Sequence, residues 1–156
     1  MQNDIYMMKR NILFQADDFV EAYYRCMEWK NQREENGRVC FSVVSIPAIV
    51  NASFACELYM KSLLEVIPQE HNLKRLFNLL SEKDKRIITD YVNDKFNTHP
   101  IYSFEFYLER AADVFVNWRY IYEAEHTEAF YGSYINEFLM FFEHLISILQ
   151  KMTHET

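Results

Sequence analysis

The sequence predicts an all-α protein, an antiparallel bundle of five to six helices that forms a single domain. Its 156 residues suit one domain, which we expect to span residues 1–156 with its core at about 11–152. Two glycines and three prolines are too few for the turns that a hairpin-rich sheet needs. Apolar residues also recur every three or four positions, as they do along one face of a helix.

The first half of the chain predicts two long helices. One spans about Asn11–Lys30, where charged residues fall between apolar residues at helical spacing. The charged stretch 31–39, which contains Gly37, predicts a solvated loop. The next helix, Phe41–Ile67, is apolar almost all round and should be the most buried, and Pro47 either starts it or kinks it.

The second half predicts shorter helices and then two long ones. A short helix is expected at Asn72–Leu80, and Ser81 with Asp84 forms a capping box for the helix after it. The sequence NTHP at 97–100 then breaks the chain. Ile135–Met152 is the final helix. The strongest apolar period of the sequence lies between this break and the final helix. It predicts one long helix through Phe104, Leu108, Ala111, Phe115, Trp118 and Tyr122.

Composition limits the classes of function. A net charge of −7 argues against a general nucleic-acid binder, because binding to phosphates requires a basic face. Aromatic residues make up 17% of the chain, more than a monomeric core needs, which predicts a homodimer with aromatic side chains in its interface. The apolar runs are too short to span a membrane and no apolar leader is present, so we expect a cytoplasmic protein.

The three cysteines lack the C-x-x-C spacing of a thiolate zinc site and are odd in number, so neither a zinc site nor a disulfide framework is predicted. Glu123 and His126 form an E-x-x-H pattern, which supplies metal ligands in di-iron bundles. Such sites need a second copy of the pattern, and the chain has none. We therefore expect no metal and no cofactor.

Polar residues inside apolar helices are candidate functional residues, because burying them costs free energy. In the central helix, Glu57 and Lys61 have the order that favours an ion pair one turn apart. A solvated helix edge is the favoured interpretation of this pair, and a buried Glu57 neutralised by an arginine from another helix is the alternative. A solvated helix face, rather than a guide for RNA, is also favoured for Lys74, Arg75, Lys83, Lys85 and Arg86.

Arg119 and His126 are the candidate catalytic pair. On a continuous helix they lie about 10.5 Å apart on one face, so both can reach one anion. Arginine offers a planar fork for phosphate, and histidine can transfer a proton near neutral pH. The pair therefore suits cleavage of a phosphodiester without a metal. A histidine at this spacing also arises by chance, which leaves a purely structural Arg119 open.

Three segments of the sequence resemble the HEPN domain of bacteria and archaea. They are PAIVNASFACELYMKSLL (47–64), HNLKRLFNLL (71–80) and FVNWRYIYE (115–123). The resemblance implies a helical bundle that dimerises and belongs with RNases of toxin–antitoxin pairs or antiphage defence. It implies a composite cleft in which Arg119 holds the scissile phosphate of RNA and His126 moves the proton. Supporting or binding residues would be Glu57, Asn51, Tyr120 and Tyr122.

The resemblance also leaves a non-catalytic function open. Tyr120 stands where active members often carry Asn, Asp or His, and relatives with an R-Y-x-Y-E segment lack a catalytic histidine. In this alternative the protein is a helical dimer that binds a nucleotide or a partner protein. A separately encoded antitoxin or nucleotidyltransferase is the expected partner if the chain is a toxin.

Overall fold

The computed structural model describes residues 1–28, 32–41, 45–96, 103–117 and 135–155. The regular secondary structure of these residues consists of helices and one two-stranded hairpin, in agreement with the predicted all-α class. The elements are α1 (Gln2–Cys26), β1 (Gln32–Glu35), β2 (Arg38–Phe41), α2 (Ser45–Leu63), α3 (Leu73–Leu79), α4 (Glu82–Lys95), α5 (Phe104–Ala111), α6 (Val114–Asn117) and α7 (Ile135–His154).

Helix α2 lies at the centre of the bundle, as predicted. It contacts α1, α3, α6 and α7, and most of its side chains between Ala48 and Lys61 are buried. Helices α1 and α2 are antiparallel, since Phe19 packs edge-on against Phe54 while Asp17 accepts a hydrogen bond from Tyr59. Pro47 lies in the first turn of α2, where a missing N–H leaves no intrahelical bond unmade, so it starts the helix rather than kinking it.

The predicted bounds of the first helix were wrong. Helix α1 begins at Gln2 rather than Asn11 and ends at Cys26. Residues 2–8 are all exposed, so this part of the helix has no buried apolar face. From Ile12 onward the predicted apolar face is correct: Ala16, Val20 and Tyr23 are buried in the core.

A β-hairpin occupies most of the stretch that was predicted to be a solvated loop. β1 and β2 pair antiparallel, with Glu35 opposite Arg38. The turn consists of Asn36 (φ 53°) and Gly37 (φ 75°), and positive φ at both central residues is what the tightest hairpin turns require. An Asn-Gly dipeptide adopts this conformation at low cost, which explains the turn at this position.

The long helix predicted from Phe104 onward is interrupted. Helix α5 ends at Ala111, and α6 begins at Val114 after a turn at Ala112 and Asp113. The backbone N–H of Leu73 donates to the Ala112 carbonyl at 2.9 Å, which occupies an acceptor that a continuous helix would use. The Asn72 side chain donates to the Asp113 carboxylate at 3.0 Å. The start of α3 is thereby fixed to the turn.

The remaining helices confirm their predictions closely. The Asn72 side chain caps α3 by accepting from the Arg75 N–H at 3.0 Å. Ser81 caps α4 by accepting from the Asp84 N–H at 3.1 Å, as the capping-box pattern predicts. Helix α7 buries one face in the core. Within the described ranges, no helix has both the length and the apolar character that a membrane crossing requires.

Candidate functional site

A buried carboxylate lies at the centre of α2. Glu57 is 1% exposed, and Lys61 one turn later is 7% exposed. Lys61 Nζ donates to Glu57 Oε1 at 2.8 Å, and His71 Nδ1 lies 2.8 Å from the same oxygen. We call these three residues the Glu57 cluster. The predicted ion pair is therefore present, but the favoured interpretation of a solvated helix edge was wrong, because both members of the pair are buried.

The chain between α2 and α3 positions the third member of this cluster. The carboxylate of Glu70 accepts hydrogen bonds from the backbone N–H groups of His71 and Asn72, each at 3.0 Å. The pKa of Glu70 is lowered, chiefly by the Asn72 N–H, because hydrogen bonds from donors stabilise the ionised carboxylate. The connection is thereby held in the conformation that directs His71 toward Glu57.

Glu57 Oε2 has no hydrogen-bond donor among the described residues, although it is buried. Most buried polar atoms in proteins have a partner, so an unpartnered carboxylate oxygen is unusual. Lys61 and His71 are the described groups that contact the Glu57 carboxylate. The alternative interpretation, in which an arginine from another helix neutralises a buried Glu57, stays a prediction, because Arg119 lies outside the described residues. The Glu57 cluster thus retains one free acceptor.

The chemical capacity of the Glu57 cluster lies in its histidine. The His71 side chain is 61% exposed, while the carboxylate it contacts is buried. A carboxylate at one ring nitrogen orients the imidazole and leaves the other nitrogen for solvent or a ligand. His71 can therefore exchange a proton at the surface while Glu57 holds its orientation.

A second polar cluster ties three helices together. The hydroxyl of Tyr59 on α2 donates to Asp17 on α1 and accepts from Gln150 Nε2 on α7 at 3.1 Å. His154 Nε2 lies 3.0 Å from the same Asp17 oxygen. Burial, followed by the hydrogen bond to Asp17, raises the pKa of Tyr59 far above its ordinary value. We call these four residues the Tyr59 cluster.

The structure separates two of the supporting residues that the sequence grouped. Asn51 is half-buried and its side chain hydrogen-bonds to the Cys26 thiol on α1, whereas the contacts of Glu57 face the connection before α3. Burial raises the pKa of Cys26, and the hydrogen bond with Asn51 opposes that rise. The other predicted site residues lie outside the described residues: Arg119, Tyr120, Tyr122 and His126.

Sequence spacing did not identify the two histidines that the structure pairs with carboxylates. His71 is fourteen residues from Glu57, and His154 is 137 residues from Asp17. Neither separation corresponds to a helical repeat, so no periodic signal connects the partners. The available signal was the polar interruption of the apolar α2, which pointed to Asn51, Glu57 and Lys61 but to neither histidine.

The basic cluster of α3 and α4 forms a solvated face, as the favoured interpretation predicted. Lys74 pairs with Glu109 at 3.5 Å and Arg75 with Glu70 at 3.7 Å. Lys85 pairs with Glu82 at 2.7 Å. These side chains are partly or largely exposed, so nearby acids offset much of the positive charge that the sequence placed here.

Neither a metal centre nor a relative identifies the site. In the part of the chain that the structure describes, no group of three His, Cys, Asp or Glu side chains could hold a metal ion. No family model, no curated protein and no solved structure matches the chain. The proposals below therefore rest on the residues and their geometry.

Proposed function

We propose that this protein is a HEPN-type ribonuclease that cleaves RNA without a metal ion. Arg119 binds the scissile phosphate, and His126 transfers the proton of the attacking 2′-hydroxyl or of the leaving oxygen. Two copies of the chain form the cleft, each contributing this pair. As the toxin of a toxin–antitoxin pair, such a ribonuclease requires a separately encoded antitoxin or nucleotidyltransferase as its partner.

The Glu57 cluster is the observation that supports this proposal. A buried carboxylate with a free acceptor is costly, because buried polar atoms are stabilised only by hydrogen-bond or ion-pair partners. An unpartnered acceptor of this kind therefore suggests a place for a further donor. Helix α6 packs on the same helix, with the rings of Phe54 and Phe115 stacked at 4.4 Å. Arg119 follows Asn117, the last residue of α6, by two positions in the sequence.

We propose that Glu57 positions Arg119. A guanidinium carries five N–H donors, so one edge can bind a carboxylate while the other remains available for a phosphate. Glu57 Oε2 is the acceptor that such an edge would occupy. Glu57 is then a positioning residue rather than a catalytic one.

The alternative function is a non-catalytic helical dimer that binds a nucleotide or a partner protein. Two observations favour it. Lys61 already forms a buried ion pair with Glu57 and His71 contacts the same oxygen, so the carboxylate has partners without Arg119. Acidic neighbours also pair with Lys74, Arg75 and Lys85, which weakens the basic face that an RNA substrate would need.

Cleavage of a mixed RNA pool in the presence of EDTA tests the proposal. We expect the unmodified protein to cut, and Arg119→Ala and His126→Ala each to lower the rate by about a hundredfold or more, as removal of a catalytic acid or base does. Arg86→Ala is the matched control, because it removes an exposed arginine on α4 and should leave the rate unchanged. Circular dichroism would verify that all variants fold.

Two results would contradict the ribonuclease proposal. One is an unmodified protein that does not cut; the other is cutting that survives both substitutions. Sedimentation equilibrium tests the dimer separately: we expect a mass twice that of the 18.9 kDa chain. A dimer without cleavage would favour the non-catalytic alternative.

A further inference from the structure

A solvent-open cavity of about 350 Å³ lies at one end of the bundle. The first half of α1 forms one wall, with Tyr6, Lys9, Arg10 and Leu13. The ends of α2 and α7 form the opposite wall, where Ser62 and Leu63 lie. The volume is at the small end of the range of ligand sites, which suits a compact molecule.

The two cations of this cavity have no carboxylate partner among the described residues. Arg10 contacts the face of Phe14, with its guanidinium carbon 5.3 Å from the ring centre, and Lys9 makes no ion pair there. Other described cations without an ion pair, such as Lys83 and Arg86, lie on the exposed surface of α4 and do not line this cavity. In a chain of net charge −7, two adjacent unpaired cations on one cavity wall form a local site for an anion.

The rest of the lining is suited to an apolar body. Leu13 and Leu63 supply aliphatic surface, and Tyr6 places an aromatic ring at the rim with 69% of the residue exposed. The Ser62 hydroxyl donates to the Tyr59 carbonyl at 2.6 Å, so its oxygen is left as an acceptor on the cavity wall. Cations, one acceptor and a stacking surface together match an anionic group joined to a flat, hydrogen-bonding ring.

We propose that this cavity binds a phosphate monoester of nucleoside-monophosphate size. Lys9 and Arg10 bind the phosphate, and Tyr6 stacks on the ring, which packs against Leu13 and Leu63. Among the described residues, the lining of this cavity includes no member of the Glu57 cluster. An Arg119→Ala variant distinguishes this site from the proposed ribonuclease cleft.

Calorimetric titration of the full chain tests this site, with AMP, adenosine and inorganic phosphate as probes. We expect AMP to bind at least about tenfold more tightly than either of its two parts, because the cavity contacts both. Lys9→Ala and Arg10→Ala should each weaken AMP binding by about tenfold. Lys83→Ala and Arg86→Ala remove exposed cations of α4 and should leave AMP binding unchanged.

Tyr6→Ala separates the two halves of the site. It should weaken binding of AMP and leave binding of inorganic phosphate as it was, since the ring contacts only the organic part. An exposed side chain on the surface of α1 can be removed without disturbing the core, so loss of folding would not explain the result.

Four outcomes would overturn the inference. They are absence of AMP binding to the unmodified protein, inorganic phosphate that binds as tightly as AMP, AMP binding that survives both cation substitutions, and AMP binding that is lost in Arg119→Ala. The second would reduce the cavity to an anion site. The last would place the ligand in the proposed ribonuclease cleft.

Discussion

A carboxylate inside an apolar helix loses the stabilisation that water gives an ion, and only cations or hydrogen-bond donors offset that loss. Glu57 has both kinds of partner, because Lys61 lies one turn away on its own helix and His71 reaches it from the next connection. Lys61 depends on Glu57 in turn, since it is 7% exposed and its ammonium has no other ion-pair partner among the described residues.

We expect Glu57→Gln to lower the free energy of unfolding by about 3 kcal/mol, because it leaves a buried ammonium without a counter-ion. Urea denaturation would measure the change. Glu109→Gln is the matched control: Glu109 pairs with Lys74 at an exposed site, and its loss should change the free energy of unfolding by less than about 0.5 kcal/mol.

A double variant distinguishes lost charge compensation from lost packing. Glu57→Gln combined with Lys61→Met removes both buried charges, and should recover most of the free energy that the single variant loses. If the free energy of unfolding of Glu57→Gln lies within about 1 kcal/mol of that of the unmodified protein, the ion pair with Lys61 does not stabilise the fold as proposed.

The sequence predicted only part of this site. Helical spacing identified Glu57 and Lys61 as a pair, because they are neighbours along one helix. It could not predict their burial, since burial depends on which helices cover α2. It could not predict His71 either, because that contact forms across a connection with no period. Arg119 and His126 lie outside the described residues and stay a prediction.

Helices α5 and α6 show that helical spacing of apolar residues does not by itself locate the ends of a helix. Apolar residues continue at helical spacing from α5 into α6, and the buried side chains of both helices face the same core. The backbone nevertheless breaks between them, because the start of α3 binds the turn through Leu73 and Asn72. The spacing of apolar side chains indicates which face of a helix is buried. It does not indicate where a backbone carbonyl accepts a hydrogen bond from outside the helix and the helix ends.

The Asn72 side chain makes two hydrogen bonds, one to α3 and one to the turn before α6, so its loss should destabilise the protein more than the loss of an ordinary helix cap. Asn72→Ala removes both the α3 cap and the bond to Asp113, whereas Ser81→Ala removes only the cap of α4. A cap contributes about 1 kcal/mol and a further hydrogen bond about as much. We therefore expect Asn72→Ala to be the more destabilising by about 1 kcal/mol in urea denaturation, and equal losses would show that the Asp113 bond contributes nothing.

The hairpin was missed for a related physical reason. Its turn carries the Asn-Gly signal, but β1 is QREE and has no alternation of apolar and polar residues. Strands are predicted from a buried face, and a charged strand shows none. Helix boundaries with capping side chains, such as Ser81, were predicted correctly because the cap is a local interaction.

At the scale of the whole molecule, buried tyrosines link the helices. Tyr59 joins α1, α2 and α7 through its hydroxyl, and Tyr23 of α1 is 2% exposed. Burial is the main cause that raises the pKa of both phenols far above the ordinary value. In the unfolded chain each phenol ionises near pH 10, so folding favours the protonated form.

The sign of the pH dependence follows from the raised pKa. The unfolded state loses these two protons first, so stability is fully present below about pH 10 and falls as the pH rises above it. Burial also raises the pKa of the Cys56 thiol, which adds to the loss from about pH 9 upward. We expect urea denaturation to give a clearly lower free energy of unfolding at pH 11 than at pH 8. The double variant Tyr23→Phe/Tyr59→Phe should show a smaller loss over the same interval.

The exposed Tyr6 provides the control for this experiment. Tyr6→Phe should leave the alkaline loss unchanged, because the Tyr6 side chain is 69% exposed and contributes nothing to the buried core. An alkaline loss of equal size in the double variant and in the unmodified protein would show that other groups cause it.

Residues 2–8 of α1 are helical but exposed, whereas Ala16, Val20 and Tyr23 pack the later turns into the core. Opening the early turns therefore uncovers almost no apolar surface and leaves the core intact. Their amide protons should exchange with deuterium long before those beyond Ala16, although both belong to one helix. A molecule bound between Lys9 and Ser62 would contact both the start of α1 and the end of α2. Its binding would therefore slow the exchange of the amide protons in the first turns of α1.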